Sequence, residues 1–263
     1  RPIRAPGWLP TPARRRMRRS RRAVRAVIDE AMRAARTDPD GPAELINLLF
    51  RTTDPDTGAP LTDEQIRDEL FIFLFAGHDT TATTLAYSLW ALGRDAHLQD
   101  RVAAEVSALG DRPLTPEDVP ALPLTVRVVH EALRICPPAA VIVRSAARDA
   151  VVDGRRIPAG TYVLVGTYAM HHDPALWSDP ERFDPDRFAA ARLTGEDRWR
   201  YLPFGAGPRS CIGDHFAMLE ATLGLATIVR RARITSLEDD FPLALPFTLT
   251  AGGPIPARIE ARD

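Results

Sequence analysis

The sequence predicts a mainly α-helical fold with a minor β portion. Three observations carry that expectation. Apolar residues recur at helical spacing through most of residues 14–135, and again over 212–231. Between those stretches the spacing shifts toward two, with turn signals at Asp153-Gly154 and Pro158-Ala159-Gly160. The chain has 263 residues, 45% of them hydrophobic, which is ample for a buried core.

The elements follow in order. Residues 1–13 form an irregular lead-in broken by prolines. Arg14 to about Arg36 is helical, with Val24, Val27, Ile28 and Met32 as apolar positions and arginines elsewhere. The cluster Arg14–Arg22 reads as the solvated face of that helix rather than as a nucleic-acid or membrane patch. A short helix at Glu44–Arg51 lies between turns at Thr37–Pro42 and Asp54–Pro60. Thr62-Asp63-Glu64-Gln65 is a capping box, and the helix it opens runs to about Arg94. From Leu70 to Ala76 this helix is apolar on every side, which predicts burial all round. Further helices cover Ala96–Leu109 and Pro123–Ile135. Val141–Ala147, Ala150–Val152 and Thr161–Val165 are short strands. Residues 171–210 are dense in Pro, Asp, Arg and aromatics and predict ordered coil. Ile212–Arg231 is amphipathic and helical, and short strands and turns follow it.

Bulk composition excludes several classes. The net charge of −1 gives no pointer to a nucleic-acid partner. All 34 basic residues are arginine, which reads as a coding bias rather than as chemistry. Two cysteines, Cys136 and Cys211, are too few for a tetrahedral zinc site or a disulfide framework. The longest apolar run, Leu70–Gly77, is too short to span a bilayer, and the start shows no signal-peptide pattern.

The most informative segment is Phe204-Gly205-Ala206-Gly207-Pro208-Arg209-Ser210-Cys211-Ile212-Gly213, followed at once by a helix. A cysteine at a helix N-terminus meets free N–H groups and the positive end of the dipole, which favour its thiolate. Gly207 and Gly213 remove side chains where the backbone lies close to something flat and large. Arg209 supplies a cation, and Phe204 an aromatic wall. In the long helix, Ala76-Gly77-His78-Asp79-Thr80-Thr81 combines a glycine with hydroxyls able to bond back to carbonyls, which predicts a bent, opened turn.

The two segments carry the patterns F-x-x-G-x-R-x-C-x-G and A/G-G-x-D/E-T-T/S in full, and through them the chain resembles the cytochrome P-450 family, of bacterial type. That resemblance implies the P-450 fold lacking its N-terminal part, with haem b as cofactor and Cys211 as the axial ligand of its iron. It assigns Thr80 to hydrogen-bond the activated oxygen and Asp79 to deliver protons. It places Phe204, Gly207, Arg209, Gly213, Ala76 and Gly77 at the cofactor and gives Arg144 a haem propionate. His78 falls at the variable position of its motif and receives no role. Glu131-Ala132-Leu133-Arg134 matches the family's E-x-x-R, completed by a meander arginine. Pro180-Glu181-Arg182-Phe183 offers one candidate, but Phe183-Asp184-Pro185-Asp186-Arg187-Phe188 fits the family pattern F-x-P-x-R-F, so Arg187 is chosen. This triad of Glu131, Arg134 and Arg187 is expected to be structural. Cys136 is expected to be a buried inert thiol, and His171 and His172 receive no role.

The chain is thus expected to be one partial P-450 domain over 1–263. Its parts are lead-in helices (1–61), the oxygen-activation helix (62–94), the E-x-x-R helix (123–135), a small β region (141–165), the meander and haem loop (171–210) and the proximal helix (211–231). Family members carry a helical region ahead of the matched segments, so the chain reads as a fragment of a longer protein. The expected activity is monooxygenation of a small organic substrate with O2. Electrons come from a ferredoxin and its reductase or from a flavoprotein, since no nucleotide fingerprint is present. A cytoplasmic location is expected, and an anchor in a preceding segment is compatible with it. Rival readings are a non-catalytic haem-thiolate sensor, an inactive truncated relative and a hydroperoxide-using relative. Thr80 and Asp79 weigh against the sensor reading, because haem retention needs neither, and against the hydroperoxide-using relative.

Overall fold

The computed structural model describes residues 11–39, 41, 44–189, 195 and 199–262. The first ten residues of the lead-in, and residues 190–194 and 196–198 of the expected coil, lie outside these. Backbone contacts divide the chain into two compact units, Arg1–Ala76 and Gly77–Asp263.

The first unit holds α1 (Pro12–Thr37), α2 (Glu44–Arg51) and the beginning of α3 (Asp63–Arg94). Thr11 caps α1 by accepting the Arg14 N–H at 3.2 Å, and Pro12 occupies the first turn, where no donor is missed. Ile28, Met32 and Ile66 form a small core, with Val24, Ile46, Leu49, Phe50 and Leu70 around it. Arg67 pairs with Asp29 at 2.7 Å, and Arg36 pairs with Asp63. Arg15 to Arg22 face solvent, as expected of a solvated face. The capping box forms in both directions: Thr62 N–H donates to Gln65 Oε1 at 2.8 Å, and Gln65 N–H to Thr62 Oγ1 at 3.3 Å.

One expectation for α3 needs correction. Burial all round from Leu70 to Ala76 is not found: Phe71, Ile72, Leu74 and Phe75 are 39%, 55%, 53% and 50% exposed. Leu70 packs against the small core, and Phe73 is half-buried. α3 is α-helical without interruption from Asp63 to Arg94. Further along α3, the Thr84 hydroxyl donates to the Thr80 carbonyl at 2.9 Å and the Ser88 hydroxyl to the Thr84 carbonyl at 2.7 Å.

The second unit is built on α4 (Ala96–Ser107), α5 (Pro123–Ile135), α6 (Thr167–His171) and α7 (Asp214–Arg231) beside the rest of α3. Leu92, Val102, Val106, Val128, Val129, Leu225 and Val229 are wholly buried where α3, α4, α5 and α7 meet. Buried Gln99 ties α3 and α4 to the first strand after α7: its amide donates to the carbonyls of Leu92 and Ile234, and its oxygen accepts the Ile234 N–H. The Glu105 carboxylate on α4 accepts the N–H groups of Leu124 (2.7 Å) and Thr125 (2.9 Å), satisfying orphan donors at the start of α5. α7 packs against α3 at Gly224, where a Cβ would make an ordinary contact with Leu85 Cδ1 at 3.5 Å.

The strands form four antiparallel pairs. β1 (Ile142–Ser145) pairs with β4 (Tyr162–Val165), and β2 (Ala150–Val152) with β3 (Arg155–Ile157) through the left-handed pair Asp153 and Gly154. β5 (Ala232–Ser236) pairs with β8 (Ala257–Ala261), and β6 (Leu243–Ala244) with β7 (Thr250–Ala251). β3 and α6 were not expected; with three and five residues, each is too short to show a period. The expected coil contains 3₁₀ turns at Pro185–Phe188 and Gly207–Arg209.

Glu105→Ala is expected to lower unfolding stability by about 1 to 2 kcal/mol, because two amides at the start of α5 lose their acceptor. Urea unfolding checks this, and an unchanged midpoint would show that water replaces the carboxylate without loss.

Candidate functional site

α5 brings two charged groups into the core. Glu131 and Arg134 are both fully buried on it, one turn apart. Arg134 donates through Nε and Nη2 to the two Glu131 oxygens at 2.8 and 2.9 Å, a fork against a carboxylate. Its remaining donors reach back into the meander, to the carbonyls of His171 and Pro180, each at 2.7 Å. Glu131 Oε1 also accepts the Asp184 N–H at 2.9 Å and Arg187 Nε at 3.2 Å. Burial pushes the Glu131 carboxyl above its usual range, and Arg134, the Asp184 N–H and Arg187 pull it back. Arg187 is the arginine whose side chain lies on Glu131, and it binds the carbonyls of Ser178, Asp179 and Arg182 besides. Arg182 contributes its carbonyl to this cluster, to Arg134 as well as to Arg187.

Behind this cluster the meander stacks its rings. His171, Tyr201, Phe188 and His130 form a continuous series, with neighbouring ring centroids 4.8 to 5.7 Å apart. Burial pushes both His130 and His171 down to about 4. Sequence reasoning gave His171 no role, yet it contacts both Arg134 and Leu202. Hydrophobic spacing carries no signal for it, because the residue sits at the end of a five-residue helix. Cys136 is buried, as expected, and burial pushes its thiol up to about 12.

The cysteine loop is held at its root and open at its tip. Phe204 packs on the core shared by α4, α5 and α7, and the Cys211 N–H donates to the Phe204 carbonyl at 2.9 Å. Gly205 and Gly207 adopt φ of +73° and +77°, which only glycine takes without strain, so the chain can double back between these two anchors. A Cβ on Gly207 would meet nothing, and one on Gly213 would meet only Cys211 Sγ, at 3.9 Å. Cys211 itself is exposed, two residues before the Gly213 cap of α7. Its apolar neighbours Ile212 and Phe216 are 85% and 69% exposed.

β1 runs beside this loop. Ile142 Cδ1 lies 3.6 Å from the place a Gly205 Cβ would take, and Arg144 Nη2 donates to the Arg209 carbonyl at 3.4 Å. Arg144, Phe204, Gly207, Arg209, Cys211 and Gly213 are therefore brought together. On α3, Ala76, Gly77, His78 and Asp79 are exposed and Thr80 is half-buried. From the Leu85–Gly224 approach, Thr80 lies about 7.5 Å back along α3, and the start of α7 about 15 Å back along its own axis.

An exposed sulfur at a helix start, bare glycine backbone, exposed apolar side chains and two arginines at one edge fit a large flat apolar group with an anionic margin and a thiolate-seeking metal. The residues fit haem.

Comparisons with known proteins agree with that fit. The family model for cytochrome P450 matches residues 3–254. A cyclooctat-9-en-7-ol 5-monooxygenase of Streptomyces melanosporofaciens is 39% identical over 255 residues, 97% of this chain and 56% of that protein. A leukotriene-B4 omega-hydroxylase 3 of Mus musculus is 38% identical over 223 residues, 82% of this chain and 42% of that protein. The crystal structure of the cytochrome P450DA heme domain is similar at a TM-score of 0.80 and 34% identity, covering 91% of this chain and 53% of that one. The chain spans about half the length of the relatives it matches. No helix among the described residues is long and apolar enough to cross a membrane.

Buried His171 and half-buried His130 set a pH dependence. Their folded values near 4 lie below the ordinary 6.5, so the unfolded chain binds more protons between those limits. Their contribution is fully present above 6.5 and is lost as pH falls toward 4, up to about 3 kcal/mol for each group. Urea unfolding from pH 7.5 to 4 is expected to show a shallower slope in His130→Phe than in the parent. Equal slopes would mean that His130 titrates normally in the folded protein.

Proposed function

The chain belongs to the cytochrome P450 family, and on that premise we propose that it is the cofactor-holding part of a haem-dependent monooxygenase, in which the Cys211 thiolate would hold haem b. The observation that carries this reading is the exposed Cys211 sulfur beside the start of α7, in a loop closed by its own N–H on Phe204. When bound, the haem supplies activation of O2, one atom entering an organic substrate and the other leaving as water.

The chain's own residues prepare that chemistry. Cys211 Sγ stands exposed two residues before the Gly213 cap of α7, where an iron could reach it. Arg144 and Arg209 offer cations to the propionates, and Gly207 and Gly213 leave room for the flat face. Phe204, anchored in the core, holds the root of the loop in place. Asp79 is exposed and would take protons from water, and the Thr80 hydroxyl, one residue on, would hold a proton for the oxygen chemistry the haem supplies. The cluster of Glu131, Arg134 and Arg187 touches no reactant and serves the architecture.

Residues 1–263 act as one partial haem domain in this reading. Electrons come from a ferredoxin with its reductase or from a flavoprotein, and the substrate is a small organic molecule. The relatives support that class: one is named for oxygenation of cyclooctat-9-en-7-ol, another for hydroxylation of leukotriene B4. A cytoplasmic site of action belongs to the same proposal.

The test is a reduced-minus-CO spectrum of the haem-loaded protein. A strongly red-shifted Soret band is expected, and Cys211→Ser should abolish it. Thr80→Ala should retain that band while product formed with O2 and electrons falls by roughly 10²-fold. Product with peroxide but never with O2 and electrons would overturn the monooxygenase reading.

A further inference from the structure

The chain leading to Cys211 is anchored at three successive residues. Arg200 Nη1 donates to the Leu176 carbonyl at 2.5 Å, and its guanidinium lies 4.4 Å from the Trp177 ring centre. The Tyr201 hydroxyl donates to the His130 carbonyl at 3.1 Å and meets His130 Nδ1 at 2.9 Å. The Leu202 N–H donates to His171 Nε2 at 3.0 Å.

The third anchor differs in kind from the others. His171 is wholly buried, and both its ring nitrogens are engaged. Accepting an N–H at Nε2 requires that nitrogen to be unprotonated, so the neutral ring carries its proton on Nδ1. Nδ1 then donates to the Arg134 carbonyl at 3.0 Å. The His171 carbonyl in turn accepts Arg134 Nη1 at 2.7 Å. One residue thus holds Arg134 at both its backbone and its guanidinium, and holds Leu202 as well. From Leu202 the path to the sulfur is short: Gly205 N–H donates to the Leu202 carbonyl at 3.1 Å, and Cys211 N–H to the Phe204 carbonyl at 2.9 Å. The neighbouring His172 makes no such link; it stacks on Tyr168 at 4.1 Å and bonds that residue's carbonyl.

We infer that His171 is a positioning residue: its imidazole ties the buried cluster of Glu131, Arg134 and Arg187 to Leu202 and so sets where the Cys211 loop stands. The task needs a donor and an acceptor at opposite ends of one rigid ring. No other side chain offers both at that separation, and the amide side chains reproduce one end each. Asparagine places its amide near Nδ1 and keeps the Arg134 bond. Glutamine reaches the Nε2 position and keeps the Leu202 bond.

This inference rests on Cys211 as haem ligand, and the two are tested apart. In the haem-free protein, amide exchange in His171→Asn is expected to quicken about tenfold at Leu202 and Cys211, with the core amides of α4 and α7 unchanged. His171→Gln should restore protection at both. In the haem-loaded protein, the share of the ferrous–CO complex showing the red-shifted band should fall in His171→Asn and recover in His171→Gln. Equal exchange in parent, Asn and Gln proteins would overturn the inference. So would a uniform rise over every core amide, which would make His171 an ordinary packing residue. Should the exchange pattern appear while even the parent lacks the red-shifted band, the ligand assignment of Cys211 is wrong and the link from His171 to Leu202 stands.

Discussion

A carboxylate with no water around it governs the second unit. Glu131 is fully buried and accepts four N–H groups, two from Arg134 and one each from Asp184 and Arg187. Left with fewer donors, an ionised carboxylate at this depth would be destabilising by several kcal/mol. The chain from Ser178 to Arg187 is therefore drawn back onto α5, and its carbonyls close on the spare donors of both arginines. Such a cluster contributes more to a unique arrangement than to net stability, because an apolar replacement of equal volume is often neutral. Its value here is that it defines where the meander lies, and the meander precedes the cysteine loop.

The molecule separates what is held from what is presented. Glu131, Arg134 and His171 have no solvent contact, whereas Cys211, Arg209, Arg144, Asp79 and Gly77 are exposed. Between them stands Phe204, packed on the core on one side and bonded to the Cys211 N–H on the other. A ligand loop needs that division. Its root must be fixed so that the sulfur does not wander, and its tip must stay bare so that a large flat group can approach.

Much of the fold could be read from the chain alone, and the reasons differ by element. α5 and α2 have the expected bounds, since Pro123 fixes the entry of one and both carry strong helical spacing. The capping box at Thr62 works because its two bonds depend only on residues three apart. The pattern F-x-P-x-R-F pointed to Arg187 over Arg182, and it is the Arg187 guanidinium that lies on Glu131. What could not be read depends on distant chain. Apolar spacing says that a face seeks cover, but not whether anything covers it, so Phe71, Ile72, Leu74 and Phe75 are exposed against expectation. The link through His171 joins residues 134, 171 and 202, a combination that no local window displays.

The proposed function hangs on a sulfur–iron bond at Cys211, and X-ray absorption at the iron edge of the haem-loaded protein would observe that bond directly. One sulfur scatterer at thiolate distance beside four porphyrin nitrogens is the predicted first shell, reduced to nitrogen and oxygen alone in Cys211→Ser. A first shell of nitrogen and oxygen only in the parent protein would contradict the account.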